Sequence, residues 1–192
     1  MTDSAAVPRG RRSSTRRPAR DGASSGSARP TDGPVNERER AREIALRILT
    51  HSARSSAQLR EGLISRDVAP EIADELVARY ADVGLLDDAA LAATIVRTRH
   101  AERGQSRRAI HQELRRKGFD EQDIGTALAQ IDEDDERERA AELARRRWAQ
   151  LSSQPTEARI RRVVAMLGRK GYSSSLAFSL VKDLRGADNG DE

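Results

Sequence analysis

Residues 110–119 read IHQELRRKGF, and residues 163–172 read VVAMLGRKGY. Each string sets a β-branched apolar residue four positions ahead of a leucine, a spacing that keeps both on one helical face. Each then closes on Lys-Gly-aromatic: Lys117, Gly118 and Phe119 in one, Lys170, Gly171 and Tyr172 in the other. Glycine suits the left-handed residue that ends a helix, and the apolar residue after it packs back on the last turn. A shift of 53 residues superposes the two strings and also pairs Leu128 with Val181 and Ile131 with Leu184. A shift of 51 brings Leu59 onto Ile110, Leu63 onto Leu114 and Val68 onto Phe119. The first copy departs at one point: Asp67 stands where the others have glycine.

Working outward, the chain from Glu37 reads as successive short helices. Ile44, Ile48 and Leu49 form a first apolar stripe. Ser55 with Gln58 is a capping box for a second helix, and Pro70 suits the first position of a third, which ends at Gly84. Asp87 or Asp88 caps a fourth with Leu91, Ile95 and Val96, reaching Gly104. The fifth runs from about Ser106 to Gly118, and Asp120 caps the sixth. A charged seventh spans roughly Asp134 to Leu151. Pro155 begins the eighth, and Ser173–Ser175 start the ninth. Nine helices fall into three groups of three, and repeats near fifty residues mean stacked units that bury too little apolar area alone. The expected fold is all-α: an elongated array of three tandem three-helix repeats, 37–84, 85–132 and 133–186, between a disordered N-terminal arm (1–36) and a disordered tail (187–192).

Composition agrees. Hydrophobic residues make up 36% of the 192, charged residues 34% and aromatics 3%, the mixture of solvated helices. No alternating run suggests a strand. The absence of cysteine excludes disulfides and thiolate metal sites. No apolar stretch approaches a membrane span, and no h-region follows the early arginines, so the expectation is a cytoplasmic protein. Residues 1–36 hold seven Arg and three Asp with few large apolar side chains. They read as disordered, either as an electrostatic arm for phosphates or as a solvated tail.

The order of further motifs resembles the RecX family of recombinase regulators. The stretch Gly84-Leu85-Leu86-Asp87-Asp88-Ala89-Ala90-Leu91-Ala92 leads to Val96-Arg97-Thr98-Arg99. It continues through Gly104 to Glu113-Leu114-Arg115-Arg116-Lys117-Gly118-Phe119. Leu91 and Ile95 stand where family members usually carry aromatics, and both remain large and apolar. The resemblance covers about residues 39–186. It implies three three-helix units docking in the groove of the RecA–DNA filament, with inhibition of ATP hydrolysis, strand exchange and coprotease activity. A monomer is expected, with no cofactor, no membrane partner and weak direct contact with nucleic acid.

Charge segregates by helix. Residues 97–117 carry a net +6, residues 120–142 a net −8 and residues 145–170 a net +7. The repeat shift pairs Arg108 with Arg161, Arg116 with Arg169 and Lys117 with Lys170. Common stacking would line these groups along one side of the array, facing phosphates or an acidic recombinase surface. Candidate partner- or phosphate-binding residues are therefore Arg97, Arg99, Arg108, Arg115, Arg116, Lys117, Arg161, Arg169 and Lys170. Trp148 is open to two readings, a packing residue or a partner anchor. The Gly-aromatic pairs are structural or, less simply, base-stacking.

Catalysis finds little support. His51, His100 and His111 are scattered, with no metal-ligand spacing. Asp132, Asp134 and Glu136 imitate a calcium loop, but Arg137 stands where glycine is required. A regulator without enzyme activity is the expectation. Its rivals are an autonomous helical DNA-binding regulator, which would bind duplex tightly with a steep salt slope, and a repeat scaffold for some other protein.

Overall fold

The computed structural model describes residues 34–190, with side chains for residues 36–188. The arm of residues 1–36 falls outside the described residues, except that residues 34–36 form the opening turn of the first helix rather than the end of a disordered segment. The described residues form nine α-helices and one π-helical segment, with no strand among them. The first repeat holds α1 (Pro34–His51), α2 (Ser56–Ile64) and α3 (Pro70–Asp82). The second holds α4 (Asp88–Arg97), a π-helical turn (Thr98–Glu102), α5 (Arg107–Arg116) and α6 (Glu121–Leu128). The third holds α7 (Glu133–Gln150), α8 (Thr156–Arg169) and α9 (Ser174–Gly190).

Local chemistry sets these boundaries. Ser55 accepts from the Gln58 amide at 3.2 Å while its own amide donates to Gln58 Oε1 at 3.4 Å, so the capping box forms as read. Asp87, Asp120 and Asp132 cap α4, α6 and α7 from the same position, each accepting from the amide three residues on. The acidic run after Asp132 is thus the first turn of a helix, where carboxylates meet the positive end of the dipole. Gly84, Gly118 and Gly171 all have positive φ, and so does Asp67, at 59°.

Each group of three helices closes on its own core. Leu59, Leu63, Leu76 and Tyr80 centre the first, Val96, Ile110, Leu114 and Ile124 the second, and Trp148, Val163, Leu167 and Tyr172 the third. Every repeat-matched apolar position on the second helices and in the turns after them is buried: Leu59, Ile110 and Val163; Leu63, Leu114 and Leu167; Val68, Phe119 and Tyr172. Burying a side chain of this size stabilises by about 1.5–3 kcal/mol. A few such residues leave a repeat of about fifty residues marginal on its own, so each repeat leans on its neighbour.

Two further sequence expectations are corrected. Residues 187–190 continue α9 instead of forming part of a disordered tail. Asp188 holds that end, accepting from Trp148 Nε1 at 2.9 Å and from Arg159 at 2.6 Å, with the Arg159 guanidinium 3.9 Å from the Trp148 ring centre. This also decides Trp148: it is 4% exposed and packs inside the third repeat. The fourth helix does not run α-helically to Gly104 but widens into the π turn, which directs backbone carbonyls toward the third repeat.

Tyr172 lies 4% exposed, and its hydroxyl has no hydrogen-bond partner among the described residues. Burial pushes the phenol up to about 12. Phe119 fills the matching place in the second repeat without a hydroxyl. Tyr172→Phe is therefore expected to leave stability unchanged or raise it by up to about 1 kcal/mol at neutral pH. Because the folded-state value lies above the unfolded one, the neutral phenol's contribution is complete below about pH 10. It is lost as pH rises toward 12, a loss on the order of 2–3 kcal/mol that the variant should not show. Urea melts of both proteins at pH 8 and at high pH check this; equal alkaline loss would contradict it.

Candidate partner-binding surface and the joints that set it

A similar joint links the first repeat to the second and the second to the third. Ser55 and Ser106, at the N-caps of α2 and α5, are both buried. Ser55 Oγ donates to the Lys117 carbonyl at 2.5 Å, and the Ser106 amide donates to the Lys170 carbonyl at 2.9 Å. The next amide in each helix finds a carboxylate of the following repeat. Ser56 N meets the two Asp88 oxygens at 2.9 and 3.2 Å, and Arg107 N meets Glu136 Oε1 at 2.9 Å. An N-terminus that would otherwise leave amides unsatisfied is thus closed by the neighbouring repeat, with favourable dipole alignment.

Glycine makes the approach possible. A Cβ on Gly118 would overlap Ala57, and one on Gly171 would lie 2.5 Å from Ser106 Oγ and 2.6 Å from Ala109 Cβ. Asp67 occupies the same left-handed position in the first repeat, where no earlier repeat approaches among the described residues. The carbonyl just before it, on Arg66, is taken by Arg40 at 3.1 Å instead of a serine. The second joint has extra ties. The Ala101 carbonyl, in the π turn, accepts from Arg139. The Arg103 carbonyl just beyond accepts from Lys170 Nζ. Gly104 admits the Leu143 side chain.

These joints fix the register of the second helices. On α5 the residues Arg108, Gln112, Arg115 and Arg116 are exposed, and on α8 the matching Arg161, Ala165, Gly168 and Arg169 are exposed. Arg108, Arg116, Arg161 and Arg169 form no ion pair among the described residues. Arg97 is exposed at the end of α4, 3.4 Å from Thr94 Oγ1. Arg115 reaches Glu121 at 3.1 Å, but both side chains stay 65% exposed, so the pair constrains little.

Three of the nine candidates are half-buried against internal partners. Arg99 grips Glu113 with two nitrogens, at 2.8 and 2.7 Å, and both side chains are less than one-fifth exposed. Hydrogen bonding from Arg99 holds the Glu113 carboxyl below its ordinary range despite the opposing effect of burial. Lys117 lies 4.0 Å from the same carboxylate. Lys170 is directed at the Arg103 carbonyl, and burial, with Arg139 nearby, lowers its ammonium. Four of the five aromatics are buried; Phe178, on α9, is 56% exposed. His100 bonds the Gln105 carbonyl and His111 the Glu121 carboxylate, and no group of three potential metal ligands gathers among the described residues.

Comparison with known proteins places a family domain on each core. The profile described as RecX, first three-helix domain, matches residues 41–79, the second three-helix domain matches 87–128 and the third matches 133–181. The chain belongs to the RecX family. Regulatory protein RecX of Thermobifida fusca (strain YX) is 42% identical over 164 residues, which span 85% of this chain and 86% of that protein. Regulatory protein RecX of Streptomyces coelicolor (strain ATCC BAA-471 / A3(2) / M145) is 39% identical over 166 residues, 85% and 88% of the two chains. A crystal structure of regulatory protein RecX superposes with a TM-score of 0.67 at 30% identity, covering 78% of this chain and 74% of that one. RecX from Lactobacillus salivarius shares the fold with the same TM-score at 20% identity.

Within this RecX chain, sequence reasoning found the basic faces but missed the joint residues. Asp88 looked like a second cap for α4; the structure gives that role to Asp87 and sends Asp88 across to α2. Ser106 carried a usable signal, because it falls on Ser55 under the same shift that aligns the cores. Glu136 carried none: it is one acid in a run of acids until the fold brings it to Arg107.

Proposed function

We propose that this RecX protein binds the RecA–DNA filament and restrains it, lowering recombinase ATP hydrolysis, strand exchange and coprotease activity. The observation that carries the reading is the pair of exposed arginine faces on α5 and α8, whose Arg108, Arg116, Arg161 and Arg169 form no ion pair among the described residues. Arg97, Arg108, Arg115, Arg116, Arg161 and Arg169 meet phosphates or acidic recombinase surface. Arg99, Lys117 and Lys170 act behind them, keeping the helices and joints in place. Affinity comes from many modest contacts, with charge setting orientation and on-rate. ATP chemistry stays with the partner.

The test is a titration into a DNA-stimulated RecA ATPase assay, with binding to naked DNA measured alongside. The expected result is loss of turnover at less than one RecX per RecA, together with weak, salt-sensitive binding to DNA alone. Unchanged turnover at excess protein overturns the proposal. Tight duplex binding without recombinase transfers the role to an autonomous DNA-binding regulator.

A further inference from the structure

The first and second repeats differ where their first two helices face each other. Under the 51-residue shift Ile48 takes the place of Arg99 and Gly62 the place of Glu113. In the second repeat that space is filled by the two-pronged Arg99–Glu113 pair. In the first it is open, a groove of about 580 Å³ between α1 and α2. Its floor is aliphatic, with Ile44 and Ile48 half-buried and no side chain on Gly62. Its rim is cationic: Arg47, Arg54 and Arg66 stand around it, beside His51, against one acid, Glu61. None of the three arginines forms an ion pair among the described residues.

We propose that this groove docks an acidic peptide segment of a protein partner, its carboxylates on the arginine rim and an aliphatic side chain seated on Ile48 over Gly62. The matching place in the second repeat supplies an internal precedent, since there a carboxylate, Glu113, occupies the space and is held by arginine. Charge selects the class of occupant. The arginine-rich residues 1–36 carry the same sign as the rim and are repelled. A nucleic-acid strand would find phosphate partners but no Phe, Tyr or Trp ring on which to stack a base, since the floor holds isoleucine and the one ring at the rim, His51, bonds the Arg47 carbonyl at 2.7 Å. The proposal is independent of the arginine faces on α5 and α8, which lie on other helices.

The experiment measures fluorescence anisotropy of a labelled short peptide of alternating glutamate and leucine, with a lysine-for-glutamate version and a labelled oligothymidylate in parallel arms, all without recombinase. Gly62→Glu fills the groove and places a negative charge inside it. The nearest obstacle to the new Cβ is the end of the flexible Ile48 side chain, at 3.1 Å, and loss of a mid-helix glycine favours the helix. Arg47→Glu with Arg54→Glu changes only exposed side chains and serves should the first variant fold poorly. The expected outcome is saturable binding of the acidic peptide alone, weakened about tenfold or more by either variant and unchanged by reversal of the arginines on α5 and α8. Absence of saturable binding, indifference to both variants, or loss of oligothymidylate binding in their place overturns it. So does self-association, seen by sedimentation, that the Gly62→Glu variant abolishes, for then the occupant is a second copy.

Discussion

Gly171→Ala is expected to lower the unfolding free energy by on the order of 2–5 kcal/mol. Two effects add. Gly171 has φ 92°, and an L-residue held in left-handed backbone costs about 1–2 kcal/mol. The new methyl would also sit 2.5 Å from Ser106 Oγ, which could rotate away only by giving up its cap on the Ala109 amide, and 2.6 Å from Ala109 Cβ, which has no rotation open to it. Overpacking of this kind costs about 1–3 kcal/mol. Relief requires the third repeat to move away from the second, which would break the Ser106–Lys170 and Arg107–Glu136 hydrogen bonds. Asp67 offers the control. It has the same backbone conformation with no neighbour to meet, so Asp67→Gly should leave stability unchanged or raise it by up to about 1 kcal/mol. Urea unfolding followed by circular dichroism measures both. A Gly171→Ala loss no larger than the effect at Asp67 would mean that the glycine serves only its own helix end and not the joint.

Under the proposed function, reversing Arg108, Arg116, Arg161 and Arg169 to glutamate should weaken binding to the RecA–DNA filament about 100-fold or more, roughly 3 kcal/mol, while stability changes by less than about 1 kcal/mol. The asymmetry follows from exposure: all four side chains face solvent with no ion pair among the described residues, so folding does not depend on them. A partner of opposite sign would feel four attractions become repulsions, most strongly in the association rate at low salt. Filament affinity measured across a salt series, with thermal melts as the folding control, decides the matter. Binding that is unaffected, with its salt dependence intact, would remove these two helices from the interface.

Much of the repeat architecture was legible in the sequence because its causes are local. Leucine and isoleucine four apart declare a buried helical face whatever lies across from it. Serine and aspartate at helix starts hold amides three residues on, and glycine takes the left-handed turn at helix ends. Each of these involves atoms within one or two turns of chain. The 51- and 53-residue shifts then reveal three copies. The candidate site was legible in part: the repeat shift pairs Arg108 with Arg161 and Arg116 with Arg169, and all four stand exposed. Arg99 and Lys170 did not separate from them, because composition counts charges and cannot tell a cation held by Glu113 or by a backbone carbonyl from one open to a partner.

By itself, then, the sequence determined the helices, their threefold recurrence and the faces they bury, since short-range sterics and hydrogen bonding leave few alternatives. Only the tertiary structure decided how one repeat meets the next, Ser55 on Lys117, Asp88 on Ser56 and Glu136 on Arg107, and how the third repeat closes on itself, Asp188 on Trp148 and Arg159. These partners lie 29 to 62 residues apart along the chain. Helix periodicity carries no information about pairings at such separations. They form where packed cores bring an unsatisfied amide or indole N–H beside an available oxygen, and they set the register in which the arginine faces stand.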